Sequence, residues 1–203
     1  MKFEDSLDEL LASPSHVRVL RALFTHATSR LTGREVARRA GGSTAQVARV
    51  LTKLQDQGLA RAETAGRSYL WGWNPDHIWA PALARLFERE GTLREELLVD
   101  LAELLEGLPA NRALLYGSIP KRAERADSDV DLFIETDSPD ASERVRERLA
   151  VGRELLWRKY GNPLSPLVLT THEVRTGRGR GFLRSIERSA LPVPTGAADG
   201  AHP

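Results

Sequence analysis

Cysteine is absent from this sequence of 203 residues, and long apolar runs are absent as well. Without cysteine the chain has no disulfide, no thiolate nucleophile and no cysteine-ligated zinc, which fits a reducing compartment. No segment approaches the roughly 20 apolar residues that cross a bilayer, and the first residues lack the apolar stretch of a signal peptide. We therefore expect a cytoplasmic protein with no membrane partner.

An excess of charge of one sign is also lacking. The 29 Lys and Arg residues nearly balance the 28 Asp and Glu residues, so the formal net charge is +1. This balance does not by itself indicate a nucleic-acid-binding protein, because such a surface would have to arise from local segregation of charge. With 41% hydrophobic residues, the chain can bury one ordinary core or two small ones. Two compact domains are therefore possible.

Helix-capping signals are closely spaced in the N-terminal third. Ser13-Pro14 predicts the start of a first helix, which should end near His26. Thr32 and Glu35 have the spacing of a capping box and predict the start of a second helix. The glycine pair Gly41-Gly42 should end this second helix.

A third helix is predicted directly after the glycine pair. Ser43 and Gln46 have the spacing of a second capping box. An apolar face then repeats at helical intervals, at Val47, Val50, Leu51 and Leu54. This face leaves four polar residues pointing outward: Thr44, Gln46, Arg49 and Lys53. Two short helices across a glycine turn, the second polar and basic on its outer side, can place one helix in the major groove of DNA.

A β-hairpin is predicted after the third helix, with Arg67 at its tip. Tyr69, Trp71 and Trp73 alternate along its second strand, and we expect them to cover the domain core rather than to form a ligand-binding stripe. The helices and the hairpin together resemble the winged-helix regulators of the broad ArsR and MarR type, over about residues 13–77. The domain is assigned to residues 1–77.

The winged-helix resemblance implies a transcriptional regulator that binds double-stranded DNA. Arg49, Lys53 and Arg67 would hold phosphates, while Thr44 and Gln46 would reach base edges near the start of the third helix. The alternative is a winged helix that makes only protein contacts.

Residues 78–108 are predicted to be a helical connector that Gly91 interrupts. Thr92 and Glu95 have the spacing of a third capping box, and leucines follow at positions 97, 101, 104 and 108. This leucine face has two possible roles. It is either the dimerisation seam of a homodimer that reads two half-sites, or the surface that packs against the protein's own second domain.

The second domain, over residues 109–193, is predicted around a strand that leads into Gly117-Ser118 and a later strand with Asp129-Val130-Asp131. Alternation along a strand sends both aspartates to one face, about 7 Å apart, where they can converge on one hard cation. The Gly-Ser turn offers backbone N–H groups and a hydroxyl to a triphosphate. The alternative is that the aspartates are ordinary acidic residues at a strand edge.

The second domain carries Gly117-Ser118, a spacer of ten residues and then Asp129-Val130-Asp131. This pattern resembles the signature of the minimal nucleotidyltransferases of the polymerase-beta-like superfamily, over roughly residues 110–175. The resemblance implies Mg²⁺ bound by Asp129 and Asp131, and a nucleotide, ATP first, bound by Gly117 and Ser118 with Lys121 and Arg122. Asp129, Asp131 and Ser118 would be the catalytic residues. Members of the family transfer a nucleoside monophosphate, commonly AMP, to a hydroxyl on a protein or a small molecule, and some are antitoxins that modify a partner toxin.

A third carboxylate, usual in that family on a later strand, is missing from the matching segment 164–170. Glu135 lies four residues beyond Asp131 and is too far away, so Glu173 is the one nearby substitute. A degenerate transferase domain that senses nucleotide or mediates contacts therefore remains an alternative to catalysis. The whole chain is predicted to be α+β: a winged helix, a helical connector, a small mixed-sheet α/β domain, and a disordered tail over residues 194–203.

Overall fold

A computed structural model describes residues 6–123, 125, 128–176 and 178–195, and the chain divides into two compact units, Met1–Gly91 and Thr92–Pro203. Most of the tail predicted to be disordered, from residue 196 onward, lies outside the described residues. In chain order the elements are α1 (Ser6–Leu10), α2 (Pro14–Thr25), β1 (Leu31–Thr32), α3 (Gly33–Ala40), α4 (Thr44–Asp56), β2 (Ala60–Ala65), β3 (Ser68–Trp73), α5 (Ala80–Leu105), β4 (Arg112–Tyr116), β5 (Val130–Thr136), α6 (Pro139–Tyr160), β6 (Leu164–Thr170), α7 (Thr171–Arg175), α8 (Arg178–Ile186) and β7 (Leu191–Val193).

The caps predicted for the first helices are present, with one exception. At the start of α3, the Glu35 N–H donates to Thr32 Oγ1 at 3.3 Å and the Thr32 N–H donates to Glu35 Oε2 at 2.8 Å. At the start of α4, Ser43 Oγ accepts from the Gln46 N–H at 3.2 Å. The reciprocal half of this second capping box is wrong, because the Gln46 side chain donates to Ser15 Oγ at 2.6 Å instead.

Three antiparallel strands complete the N-terminal unit, in the order β1-β3-β2. Strands β2 and β3 form the predicted hairpin, with Gly66 at φ +60° and Arg67 in its turn. Trp71 and Trp73 are 8% and 4% exposed and cover the core, whereas Tyr69 is 58% exposed on the wing. Two helices across a glycine turn, followed by this hairpin, form a winged-helix arrangement.

The predicted interruption of the connector at Gly91 is wrong, because α5 is continuous through this residue. A single glycine in a helix interior costs about 1 kcal/mol, and burial of Leu83 before it and Leu97 after it outweighs this cost. Thr92 therefore does not cap a helix, and its hydroxyl donates to Glu96 Oε1 at 2.9 Å. Among the described helices, none combines the length and the apolar character that a membrane crossing requires.

The leucine face at the end of α5 packs inside the C-terminal unit. Leu97, Leu101 and Leu105 are at most 5% exposed and belong to the core of this unit. A Cβ placed on Gly152 of α6 would lie 2.5 Å from Leu104 Cδ1, so the two helices approach closely at this glycine. Of the two predicted roles of these leucines, the structure therefore shows packing against the protein's own domain.

A mixed four-stranded sheet, in the order β6-β5-β4-β7, forms the centre of the C-terminal unit. Strand β5 is antiparallel to β4 and parallel to β6, to which it is connected through α6. One face of the sheet, with Leu115 and Leu132, packs in the same core as α5 and α6. The other face, with Phe133, packs against Leu183 and Ile186 of α8. Both faces of the central strands are therefore covered.

Candidate functional sites

The first candidate site is the outer side of α4 with the tip of the wing. All five residues predicted to contact DNA are exposed: Thr44, Gln46, Arg49, Lys53 and Arg67. The apolar face of α4 is buried at Val47, Val50, Leu51 and Leu54, so the orientation of this helix matches its predicted periodicity. The exposed side is therefore available to a partner along its whole length.

The start of α2 borders this surface, which the sequence pattern did not predict. Ser15 Oγ accepts the hydrogen bond from Gln46 Nε2, so Gln46 must release Ser15 before it can reach a base edge. His16 is buried below this edge, and its Nδ1 lies 2.9 Å from Ser13 Oγ. Burial, and then the positive charge of Lys53, lowers the pKa of His16.

Ion pairs divide the basic residues of the N-terminal unit into two groups. Arg30 Nε donates to Glu63 at 2.7 Å, and Arg61 is paired with Asp76. Within the described part of the chain, Arg49, Lys53 and Arg67 have no carboxylate partner. Their charges are therefore not compensated locally, and all three lie on α4 or at the wing tip.

The second candidate site lies where β4 ends beside the start of β5. The register pairs Tyr116 with Asp131, and Gly117 follows with φ +83°. A Cβ placed on Gly117 would overlap the Asp131 carboxylate and lie 2.9 Å from its Cγ. Only glycine leaves room for this carboxylate, so the predicted phosphate turn and the predicted metal ligand are in direct contact.

The two predicted metal ligands differ in their surroundings. Asp131 is half-buried, whereas Asp129 is exposed and lies just before β5. Burial, and then the Asp129 carboxylate, raises the pKa of Asp131 above its ordinary value. Hydrogen bonds hold the backbone next to Asp129: the Val130 N–H donates to Pro163 O at 2.8 Å, and Asn162 Nδ2 donates to Ser128 O at 2.8 Å. These hydrogen bonds position the backbone on both sides of Asp129 next to the start of β5.

A basic segment follows the Gly-Ser turn. The Ala123 N–H donates to Ser118 O at 3.1 Å, which closes a compact turn containing Lys121 and Arg122. Arg122 has φ +54°, in the left-handed region that few residues other than glycine adopt. Lys121 and Arg122 are exposed, and neither has an acidic partner among the described residues.

Glu173, the substitute for the missing third carboxylate, lies at the wrong end of β6. Its Oε2 accepts from the Thr170 N–H at 2.7 Å, in a capping box at the start of α7. The register pairs Asp131 with Ser165 but Thr136 with Thr170, so Glu173 is about 17 Å along the sheet from Asp131. Among the described residues, no group of three His, Cys, Asp or Glu could hold a metal ion.

Tyr116 is a further residue of this site that the sequence pattern did not single out. It lies beside Asp131, and burial followed by the Asp131 charge raises the pKa of its hydroxyl. Its ring meets Phe182 edge-on, with centroids 5.3 Å apart. Alternation along β4 was the signal available, because it places Tyr116 on the face that carries Asp131.

Comparison with protein-family models gives no match, and comparison with curated proteins gives none. Among solved structures, the chain is similar to the AntR antimony-specific transcriptional repressor at 25% identity, over 45% of this chain and 76% of that chain, with a TM-score of 0.37. It is similar to MepR, a transcription regulator of the Staphylococcus aureus multidrug efflux pump MepA, at 18% identity, over 48% of this chain and 71% of that chain, with a TM-score of 0.37. A MarR-family transcriptional regulator from Silicibacter pomeroyi shares 22% identity over 48% of this chain and 75% of that chain, with a TM-score of 0.33. Because these TM-scores are low, the winged-helix description depends on the element order and strand pairing of this chain alone.

Proposed function

We propose that the N-terminal unit binds double-stranded DNA and that the protein is a transcriptional regulator. The observation that carries this proposal is the exposure of Arg49, Lys53 and Arg67 on α4 and the wing tip, where none of the three forms an ion pair with a described carboxylate. A major groove about 12 Å wide accepts one α-helix. In this arrangement α4 lies in the groove, and Arg67 reaches the neighbouring phosphate backbone.

Alanine substitution of Arg49 and Lys53 tests this proposal. Each lost phosphate contact should lower the slope of log affinity against log salt by about 0.9 and weaken binding to a random-sequence duplex. Arg61→Ala is the matched control, because this arginine is exposed but already paired with Asp76. Binding to DNA can be followed by fluorescence anisotropy at several salt concentrations. Unchanged affinity in both variants would favour the alternative of a winged helix that contacts proteins.

For the C-terminal unit we propose binding of a nucleoside triphosphate, ATP first, together with Mg²⁺. The observation that favours it is the contact between the Gly117 backbone and the Asp131 carboxylate, which brings a turn suited to phosphate next to a pair of metal ligands. Mg²⁺ is commonly held by one or two carboxylates together with substrate phosphates, so Asp129 and Asp131 are a sufficient protein contribution. When bound, the ion would neutralise charge on the triphosphate.

The surrounding residues have distinct roles in this proposal. The backbone N–H groups of the turn and the Ser118 hydroxyl donate to phosphate oxygens. Lys121 and Arg122 compensate the remaining phosphate charge from the exposed side of the loop. With the triphosphate held in this way, the hydroxyl oxygen of a protein or small molecule would attack the α-phosphorus, and the bond to the β-phosphate would break, so that AMP is transferred and pyrophosphate leaves with the bound ion neutralising its charge.

Nucleotide sensing without transfer is the second candidate function of this unit. It is favoured by Ser165, the residue that pairs with Asp131 on β6, because a serine supplies no third carboxylate. Both candidates require binding of Mg²⁺ and nucleotide, but only the first requires that a group is transferred.

Calorimetric titration of ATP with Mg²⁺ distinguishes these two candidates from the alternative that Asp129 and Asp131 are ordinary acidic residues that bind no ligand. Binding should be lost in the Asp129→Ala, Asp131→Ala double variant and kept in Glu135→Gln, a control at the far end of the same strand. Label transfer from α-labelled ATP in wild type, absent in the double variant, would support transfer, and binding without transfer would support sensing. Label transfer that survives in the double variant, or no binding of any nucleoside triphosphate, would contradict the proposed site.

A further inference from the structure

A basic cavity of about 500 Å³ lies between α2 and α3 in the N-terminal unit. Arg18, Arg21 and Arg39 line it, together with Thr25 and His26. The lining contains no Asp or Glu, and it contains no residue of α4 or of the wing. The cavity is therefore distinct from the surface proposed to contact DNA.

Two of the three guanidinium groups, those of Arg18 and Arg39, form no ion pair with a described carboxylate. Arg21 is neutralised by Glu90, with Nε to Oε2 at 2.5 Å and Nη2 to Oε1 at 2.7 Å. Within the described part of the chain, Arg18 has no acidic partner, and Arg39 donates to a histidine rather than to a carboxylate. Two positive charges on one concave surface repel each other unless an anion lies between them.

A short relay of hydrogen bonds fixes the position of Arg39. His26 Nδ1 lies 3.1 Å from Ala22 O, and because a carbonyl can only accept, this nitrogen carries the proton. The unprotonated Nε2 then accepts from Arg39 Nε at 3.0 Å. Among the described residues only Nε of Arg39 is engaged in a hydrogen bond, so its terminal amino groups are available to donate.

We propose that this cavity is a binding site for a small oxyanion, a molecule with a phosphate or carboxylate group held between Arg18 and Arg39. The planar guanidinium fork matches the paired oxygens of either group. A volume of about 500 Å³ falls within the rough range of 300–1,000 Å³ that is typical of ligand sites. A phosphate of the DNA backbone offers the same chemistry, but the absence of α4 and wing residues from the lining favours a free anion.

Titration of inorganic phosphate into the full chain tests this site. The measurement uses a Lys121→Gln, Arg122→Gln background with a chelator, so that the basic residues and the metal proposed for the C-terminal site do not contribute. Combined Arg18→Gln and Arg39→Gln changes (the double Gln variant) should weaken phosphate binding by about tenfold or more, because hydrogen bonds to a charged group are lost. Arg38→Gln is the matched control, since this arginine is exposed on α3 but does not line the cavity.

Two further readouts keep the test specific. Phosphate should shift the NMR signals of the His26 ring and of the Gly41 amide in the wild type, and not in the double Gln variant. Arg39→Lys, which keeps the charge but loses the fork, should bind phosphate with intermediate affinity. Unchanged far-UV circular dichroism checks that the variants are folded.

Three outcomes would overturn the proposal. The first is phosphate binding that does not saturate in the wild type. The second is equal binding by the double Gln variant and by Arg38→Gln. The third is a double Gln variant that loses affinity for duplex DNA while the wild type does not bind phosphate, which would assign the two arginines to the DNA backbone. The proposal does not depend on the function proposed for either unit.

Discussion

Gly117→Ala should damage both the stability and the ligand binding of the C-terminal unit. Gly117 has φ +83°, which costs a residue with a Cβ roughly 1–2 kcal/mol. The new Cβ would also lie 2.9 Å from Cγ and 3.2 Å from Cβ of Asp131. Overpacking of this kind costs roughly 1–3 kcal/mol, and the reduced freedom of the unfolded chain returns about 0.4–1 kcal/mol. The expected net loss of stability is therefore about 1–5 kcal/mol.

Gly107→Ala is the matched control for this prediction. Gly107 lies in the same unit with φ +71°, but nothing lies within 4 Å of a Cβ placed there. It carries the backbone cost without the steric overlap, so its expected loss is about 1 kcal/mol. The difference between the two variants isolates the contact between Gly117 and Asp131.

Hydrogen exchange of the β4 and β5 amides measures the stability of the unit that contains both glycines, and denaturant unfolding gives the corresponding free energy. Gly117→Ala should also abolish binding of ATP with Mg²⁺ in calorimetry, because Asp131 must move, whereas Gly107→Ala should bind as the wild type does. Equal stability of the two variants, with intact nucleotide binding in both, would refute the reasoning.

Three other predictions concern titration, a buried hydrogen bond and the missing acid. Burial, and then the charge of Lys53, lowers the pKa of His16 below 6.5, so the unfolded chain binds a proton more readily than the folded chain. Stability should therefore fall as the pH drops from 6.5 through the lowered pKa. In denaturation curves His16→Gln should flatten this pH dependence, and a slope from His77, whose pKa burial also lowers, should remain. Tyr160→Phe removes a 2.7 Å hydrogen bond to Asp100 and should lower the unfolding free energy of the C-terminal unit by about 1–3 kcal/mol. Arg158→Ala, which breaks an exposed ion pair on the same helix, should change this free energy by less than about 1 kcal/mol. Equal effects of the two variants would show that the bond to Asp100 contributes no more than an exposed ion pair. Ser165→Asp places a carboxylate beside Asp131 and should raise Mn²⁺ affinity by roughly tenfold, about 1.4 kcal/mol, in calorimetry, and unchanged affinity would count against a metal site.

Local signals in the sequence predicted the N-terminal unit well. The Thr32 and Glu35 capping box and the apolar face of α4 are determined by residues within one or two helical turns, and both are present. The prediction failed where a distant residue competes for a local partner. Gln46 should bond back to the start of its own helix, but Ser15, which is 31 residues away, accepts its hydrogen bond instead.

Long-range pairing limited what could be predicted of the C-terminal site. The spacing of Gly117, Ser118, Asp129 and Asp131 predicted that two strand ends meet, and the antiparallel register of β4 and β5 brings them together. The neighbour of Asp131 on β6 is set by a parallel register across the 22 residues of α6, which no local pattern specifies. For this reason the sequence left Glu173 as a candidate, although it lies at the opposite end of the strand.

The surroundings of Asp131 disfavour its negative charge, which is relevant to cation binding at this site. Burial and the Asp129 charge raise the pKa of Asp131, so its ionised form is disfavoured in the folded chain, and stability is lost as the pH rises from about 3.8 through the raised pKa. The absence of a side chain at Gly117 leaves room for the carboxylate in this position. A cation between Asp129 and Asp131 would offset both the desolvation and the repulsion. The cation proposed for this unit would therefore account for the two neighbouring carboxylates, and Ser165, which pairs with Asp131 on β6, is the adjacent position that carries no acid.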